Sequence, residues 1–180
     1  MKKSKSKLTV NDLTLGAMLA ALSIVIGIVC KNYLNFGNGL FRITFENFPI
    51  ILSGIMFGPL VGSLVGLSAD IISYVLSTQT LAISPLVTLG AGSIGLISGL
   101  VSHYLYKKNG YLRLILSAFS AHLIGSLLIK SFALFTYYGW AILWRIPTYV
   151  LIATLEILLI CFLYNRHFFK KWMWKKGDKK

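Results

Sequence analysis

The stretch that decides the fold runs from Phe41 to Gly62, FRITFENFPIILSGIMFGPLVG. Pro49 lies where a helix begins, and Asn47, shortly before it, is predicted to cap that helix. The turn Gly58-Pro59 ends this short apolar run. Three glycines then follow four residues apart, on one ridge of the next helix: Gly58, Gly62 and Gly66. The segment predicts two helices that meet at a tight turn and pack through a glycine seam inside a membrane.

The composition of the whole chain supports a membrane protein. Its 180 residues are 56% hydrophobic and include five acidic side chains. Several apolar runs reach the roughly 18 residues that indicate a membrane-spanning helix. A soluble fold would leave most of this apolar surface unburied. We therefore predict an all-α integral membrane protein, a bundle of six transmembrane helices.

The net charge of +13 raises nucleic acid as a partner, and the charge distribution argues against it. Four lysines precede Leu8, three basic residues lie in Lys107–Arg113, and seven follow from Arg166 onward. The positive-inside rule places these three groups, and therefore both termini, in the cytoplasm. We expect a basic cytoplasmic tail at 1–10, a six-helix membrane domain at 11–165 and a second basic cytoplasmic tail at 166–180. The tails then face anionic lipid of the bilayer rather than nucleic acid.

The predicted helices can be placed along the chain from their apolar runs. They cover about Asp12–Val29, Asn47–Phe57, Leu60–Leu76, a run from Pro85 onward, Leu112–Tyr137 and Leu143–Asn165. Between the first two helices, Lys31 to Thr44 forms a polar, glycine- and asparagine-rich external loop, which is long enough to cover a pocket. Ser77 to Ser84 forms a second external loop.

Helices three and five carry polar side chains at membrane depth. Asp70 is costly there unless it is paired or hydrated, so it is a candidate functional residue, and a structural hydrogen bond to a neighbouring helix is the alternative. Helix five has a polar stripe on one face: His122, Ser126, Lys130 and Tyr137. Lys130 alone can reach the interface as a long side chain, but the stripe favours a face that looks into a cavity.

Helix six repeats this pattern with Arg145, Tyr149 and Glu156. Arg145 and Glu156 share a face, because eleven residues nearly complete three helical turns. Arg145 is alternatively an interfacial anchor beside Trp144. Glu156 is alternatively a structural partner of Lys130, as a salt bridge or a hydrogen bond.

Motifs for chemistry are not found in the sequence. It contains no GxxxxGK[ST] phosphate loop and no nucleophile–base pattern, so we predict that the protein is not an enzyme. Cys30 and Cys161 are isolated in apolar segments and predict neither a disulfide nor a metal site. We expect no cofactor. On helix one, Ala17 and Ala21 form a small-residue face that serves either packing within the chain or docking of another membrane protein.

Several segments together resemble a known family, the substrate-binding S components of energy-coupling factor (ECF) vitamin transporters. These are the Ala17-xxx-Ala21 face, FENFPIILSGIMFGP, ISPLVTLGAGSIGLISGL, AHLIGSLLIKSFAL and RIPTYVLIATLEILLI. The resemblance covers Leu13 to Tyr164 and is strongest to the folate-specific branch. The xPxxxxGxxFGP core is shared among several vitamin branches.

The resemblance implies a high-affinity vitamin binder, most closely a folate binder, in a bacterial cell membrane. It implies a transmembrane T component and two cytoplasmic ATPases as partners, with Ala17 and Ala21 as the face that docks the T component. The bound S component is expected to topple in the membrane and so carry its pocket inward.

The chemistry of folate suits the polar residues of this sequence. Cations can pair with the glutamate tail: Arg42, Lys130 and Arg145. Carboxylates can accept hydrogen bonds from the pterin: Glu46, Asp70 and Glu156. Aromatic side chains can line a slot for the rings: Phe41, Phe45, Tyr137, Tyr138, Trp144 and Tyr149. His122 and Ser126 complete the predicted site.

Two other functions remain open from the sequence. The protein is alternatively an S component for another vitamin, such as riboflavin or pantothenate. It is alternatively a stand-alone secondary transporter that uses Asp70 and Glu156 as proton relays. No internal repeat or pair of broken helices supports this second alternative.

Overall fold

The computed structural model describes residues 10–36, 41–76, 85–106 and 110–165 as an almost entirely helical bundle. The first helix, α1, covers Val10–Tyr33. It is followed by two short strands, β1 (Asn35–Phe36) and β2 (Phe41–Arg42), which pair antiparallel with Asn35 opposite Arg42. Apart from this ribbon and short connecting residues, such as 43–46, the described chain is helical. Residues 77–84, predicted to be an external loop, and the basic tails at 1–9 and 166–180 lie outside the described residues.

Helices α2 (Asn47–Phe57) and α3 (Pro59–Leu76) confirm the helix pair predicted from the opening stretch. Gly58 joins them with a φ of 98°, a left-handed conformation that favours glycine. The prediction that Asn47 caps α2 is wrong. Glu46 holds the cap position without a side-chain hydrogen bond, and Asn47 is already helical.

The next helix, α4, covers Pro85–Leu100 and ends in a π-helical turn, Val101–Leu105. A long rod then follows at 111–138. It consists of α5 (Tyr111–Ala121), a π-helical segment (His122–Lys130) and α6 (Ser131–Tyr138). We call these three pieces the central rod. A 3₁₀ segment, Gly139–Arg145, leads into α7 (Ile146–Tyr164).

Five of the described helical stretches are long and apolar enough to cross a membrane: Val10–Tyr33, Pro59–Leu76, Pro85–Leu105, Tyr111–Phe135 and Gly139–Tyr164. The helix α2 is apolar but has only 11 residues. At 1.5 Å per residue it spans about 16 Å, roughly half of the hydrocarbon thickness. Nearly every α2 side chain is buried, so this short helix forms the centre of the bundle.

The core is built on close approach of the helices around α2. Its buried apolar members include Ile50, Ile51, Ile94, Leu114 and Ile160. The sequence predicts the glycine seam between α2 and α3, and Gly62 does lie against Gly54 of α2, but the seam also packs closely against α4. A Cβ added at Gly62 would stand 2.5 Å from the carbonyl oxygen of Gly95, so the two backbones touch. This contact holds α3 and α4 together.

Helix α1 is longer than predicted and changes the position of Lys31. The sequence places this residue in an external loop, but it lies in the last turn of α1 and is fully buried. The predicted loop Lys31–Thr44 is therefore wrong at its start. The structure places a cation inside the bundle where the sequence suggested solvent.

Candidate functional site

Glu46, just before α2, lies between two buried lysines. Its Oε2 is 3.8 Å from the Nζ of Lys31, and its Oε1 is 3.8 Å from the Nζ of Lys130. A hydrogen bond of 2.7 Å from the Ser23 hydroxyl to the main-chain carbonyl of Glu46 fixes the backbone from which this carboxylate extends. A Cβ at Gly27 would stand 2.9 Å from Oε2, so α1 leaves room for the carboxylate only because residue 27 is glycine. We call Lys31, Glu46 and Lys130 the lysine–glutamate cluster.

Each lysine of this cluster also donates a hydrogen bond to a neighbouring helix. The Lys31 ammonium donates to the Ser73 hydroxyl and lies 4.3 Å from the centre of the Tyr74 ring. The Lys130 ammonium donates to Asn47 Oδ1 at 3.1 Å. The cluster thereby joins α1, α2, α3 and the central rod.

Asp70 on α3 forms a second buried polar group. Its Oδ2 accepts a hydrogen bond of 2.8 Å from the Thr88 hydroxyl on α4. Its Oδ1 is buried, and the described part of the chain gives it no hydrogen-bond partner. Asp70 also lies beside Ser23 and Glu46, around a space too small to hold a water molecule. The structural alternative, a hydrogen bond to a neighbouring helix, is present as the bond to Thr88, and the functional role of Asp70 stays a prediction.

A third polar group lies deeper, between the central rod and α7. His122 Nε2 is 2.8 Å from Glu156 Oε2, and His122 Nδ1 is 3.5 Å from the Ser126 hydroxyl. Glu156 is fully buried. Lys130 and Glu46 lie within electrostatic reach of its carboxylate. The sequence suggested Lys130 as the structural partner of Glu156, but the partner in direct contact is His122.

A cleft of about 300 Å³ opens beside this third group. Its lining is mostly apolar and comes from the central rod and α7: Phe119, His122, Leu123, Ser126, Leu127, Tyr149, Val150, Ala153, Thr154 and Ile157. The buried Arg145 guanidinium lies 5.3 Å from the centre of the Tyr149 ring. The cleft therefore has an apolar wall, a histidine–carboxylate pair on one side and an arginine beside one of its aromatic side chains, Tyr149. This combination suits a flat, partly anionic ligand.

Most of the predicted site residues come together in these groups. The buried members are Glu46, Asp70, His122, Ser126, Lys130, Arg145 and Glu156, with Tyr149 half-buried at the cleft. Trp144 does not join them, since it is 72% exposed. Phe45 lines a separate open cleft with Leu155 and other α7 side chains. The side chains of Arg42 and Tyr137 lie outside the described residues.

Two residues of the site were missed by the sequence reasoning, Lys31 and Asn47. Lys31 continues a buried stripe on α1 at four-residue spacing, Ser23, Gly27 and Lys31. The same spacing identified His122, Ser126 and Lys130 on the central rod, so this signal was present in the sequence. Asn47 carried no such signal, because its polar neighbour Glu46 is adjacent in the chain rather than one helical turn away.

The predicted docking residues Ala17 and Ala21 are exposed on α1. The opposite face of the helix is the packed one, since Gly16 lies against Val61 and Val65 of α3. The small-residue face is therefore not used for packing among the described residues of this chain.

Comparisons with known proteins agree with this architecture. The family described as ECF transporter, substrate-specific component, matches residues 11–147. The chain is similar in fold to the crystal structure of FolT bound with folic acid, with a TM-score of 0.67 and 21% identity. The alignment covers 89% of this chain and 96% of that one. No curated protein matches the sequence. The match to the family spans most of the chain, which therefore belongs to the substrate-specific components of ECF transporters.

Proposed function

We propose that this protein is the folate-binding subunit of an ECF-type ABC importer. Two lines support the proposal. The family is one of transporter components rather than enzymes, and a protein of the same fold, FolT, has been crystallised with folic acid. The polar groups of this chain also suit the two chemically different ends of folate.

The observation that carries the proposal is the burial of cations. Lys31, Lys130 and Arg145 are each at most 7% exposed, although they belong to an apolar bundle. Uncharged side chains would fill these positions at far lower cost, so buried cations call for anionic partners. Glu46 provides one for the two lysines, and Arg145 stacks on Tyr149. The two carboxylates of the folate tail are suitable additional partners, and Arg145 offers a bidentate fork.

The pterin end suits the opposite chemistry. Its amino and ring N–H groups need acceptors, and Asp70 Oδ1 and Glu156 Oε1 are buried carboxylate oxygens to which the described residues donate no hydrogen bond. Their burial strengthens a hydrogen bond from a ligand, because water does not compete. The apolar cleft of about 300 Å³ beside Glu156 is wide enough for an aromatic ring system.

The proposal includes the membrane topology and the partners. Six transmembrane helices, with α2 as the short sixth member, put both termini in the cytoplasm of a bacterial cell. The basic tails at 1–10 and 166–180 then face the inner leaflet. The exposed Ala17 and Ala21 would dock a T component, which works with two ATPases.

Binding measurements with a panel of vitamins test the substrate. The purified protein should bind folate more tightly than riboflavin or pantothenate by isothermal titration. Tighter binding of either competitor would assign the protein to another vitamin branch.

Reconstitution tests the mode of transport. In liposomes the protein alone should bind folate without accumulating it, and adding a T component and ATPases should give ATP-dependent uptake. Accumulation driven by a proton gradient with the protein alone would instead establish a secondary transporter that uses Asp70 and Glu156.

A further inference from the structure

The lysine–glutamate cluster has an unusual geometry for a pair of salt bridges. Glu46 reaches both lysines, but each N–O distance is 3.8 Å. Charge-assisted hydrogen bonds are about 2.7–2.9 Å long. The closer contacts of the ammonium groups are to neutral oxygens, those of Ser73 and Asn47. Glu46 therefore balances the positive charge of both lysines, although it is not the nearest contact of either ammonium group.

The position of Glu46 is built into the fold. Its backbone carbonyl accepts from Ser23, and its Oε2 fills the space that the missing side chain of Gly27 leaves. Glu46 is only 5% exposed and lies at the start of α2, the central helix of the bundle. Such a group cannot withdraw into solvent when an anion arrives. It remains as a fixed negative charge between two cations.

We propose that Glu46 acts as a built-in counter-anion. Its carboxylate supplies, between Lys31 and Lys130, the negative charge that a carboxylate of the ligand would otherwise supply. It keeps the two buried ammonium groups compensated when no ligand is bound, and it weakens the binding of an anionic ligand by repulsion. The inference depends on the proposed function in one respect, namely that the ligand carries carboxylates. It gives Glu46 a role opposite to that of a residue that accepts hydrogen bonds from the ligand.

The size of the effect follows from Coulomb's law. Two like charges about 6 Å apart, at an effective permittivity of about 20, repel strongly enough to change a dissociation constant by about 10- to 100-fold. Glu46→Gln keeps the shape of the side chain and removes its charge. This variant should bind folate about tenfold or more tightly than the parent. Hydroxymethylpterin, which has the ring and no carboxylate, should bind both proteins alike.

A charge-balanced double variant is the matched control. Glu46→Gln together with Lys31→Met removes one charge of each sign, so the cluster keeps the net charge of the parent. It should bind folate more tightly than Lys31→Met alone, because both proteins lack Lys31 and only the single variant keeps the repelling carboxylate. If Glu46→Gln alone does not fold, this comparison still tests the inference, since the double variant leaves one ammonium group, that of Lys130, which donates to Asn47. Asp70→Asn removes a buried carboxylate outside the cluster and should not tighten folate binding.

The results separate the inference from the function. Weaker binding of both folate and hydroxymethylpterin by Glu46→Gln and by the double variant would overturn the inference, since Glu46 would then contact the ligand directly. Unchanged folate binding would also overturn it. Failure of the parent to bind folate would reject the proposed function. In that case glutarate, a dicarboxylate without a ring, should still raise the melting temperature of Glu46→Gln more than that of the parent, and equal shifts would reject the inference.

Discussion

The glycine seam between α3 and α4 and the cleft between the central rod and α7 are built in opposite ways. At the seam, backbone meets backbone, and a Cβ on Gly95 would stand 2.0 Å from the carbonyl oxygen of Gly62. At the cleft, the central rod and α7 leave a space of about 300 Å³ between them, and His122, which contacts the buried Glu156, lies on its wall. One region has no tolerance for added atoms, whereas the other has space and polar groups.

The difference teaches how this small bundle combines stability with binding. Inside a membrane, close packing of small residues holds helices together, because apolar side chains gain little by leaving lipid. The seam can therefore serve as a fixed platform that carries Asp70 and Thr88 toward the site. In the proposed function, the region between the central rod and α7 receives the ligand.

The largest effect on the stability of the fold is expected from Gly95→Ala at the seam. The added Cβ meets backbone atoms of Gly62, which cannot move without separating α3 from α4. Overpacking of this kind costs about 1–3 kcal/mol or more, which exceeds the gain of up to about 1 kcal/mol in helix propensity. We expect a lower melting temperature and a loss of monodisperse protein in size-exclusion chromatography.

Gly16→Ala is the matched control for that change. Its Cβ would meet the Cγ1 of Val61 at 3.0 Å, a side-chain atom that can shift by a few tenths of an ångström. This variant should melt close to the parent. Equal stability of the Gly95→Ala protein would show that the seam is looser than the contact with Gly62 indicates.

The largest effect on ligand binding is expected from Lys130→Ala at the polar end of the site. Loss of a desolvated charge partner costs about 2–5 kcal/mol, or about 30-fold or more in the dissociation constant for folate. Arg145→Ala, and Arg42→Ala by the sequence prediction, should have effects of the same order. The affinity for hydroxymethylpterin should hardly change when the cation that binds the glutamate tail is removed.

Leu128→Ala provides the control on the same rod, since this leucine is 56% exposed. It should bind folate like the parent. If the three single variants of Lys130, Arg145 and Arg42 all bind folate like the parent, these cations stabilise the fold or contact lipid instead.

A smaller effect is expected from Glu156→Gln, which tests the ring end of the cleft. A hydrogen bond to a charged group contributes about 1.5–3 kcal/mol, so its loss should weaken binding by about tenfold or more. Folate and hydroxymethylpterin should lose affinity together, because both carry the ring. Titration of both ligands against Glu156→Gln and against Leu158→Ala, an exposed neighbour on α7, measures this. Loss of folate binding alone would move Glu156 to the tail end.

The smallest effect on this chain by itself is expected from Ala21→Trp. Residue 21 is exposed, so a bulky side chain meets no packed neighbour, and folate binding and melting should stay near the parent values. The same change should abolish assembly with a T component and uptake, since large side chains keep two helix backbones apart. Co-purification and liposome uptake measure both. Lost ligand binding with intact assembly would identify the face as internal packing.

Much of this site could be predicted from residue spacing. His122, Ser126 and Lys130 recur at four residues, and all three are buried on the central rod. The partners could not be predicted in the same way. Lys130 meets Asn47, which is 83 residues away, rather than Glu156 on the next helix. Which polar groups meet depends on the rotation and depth of each helix, and spacing along one helix carries no information on either.

The sequence by itself determined the membrane class, the short helix around Pro49, the turn at Gly58 and the glycine ridge of α3. Each of these follows from local properties, namely apolar length, backbone conformation and helical period. Only the tertiary structure decided that α1 continues through Lys31 and that Glu46 lies between two lysines. Those contacts join α1, α2 and the central rod, so they exist only after the helices pack. A buried charge is stabilised by groups that surround it in space, and those groups come from segments far apart in the chain.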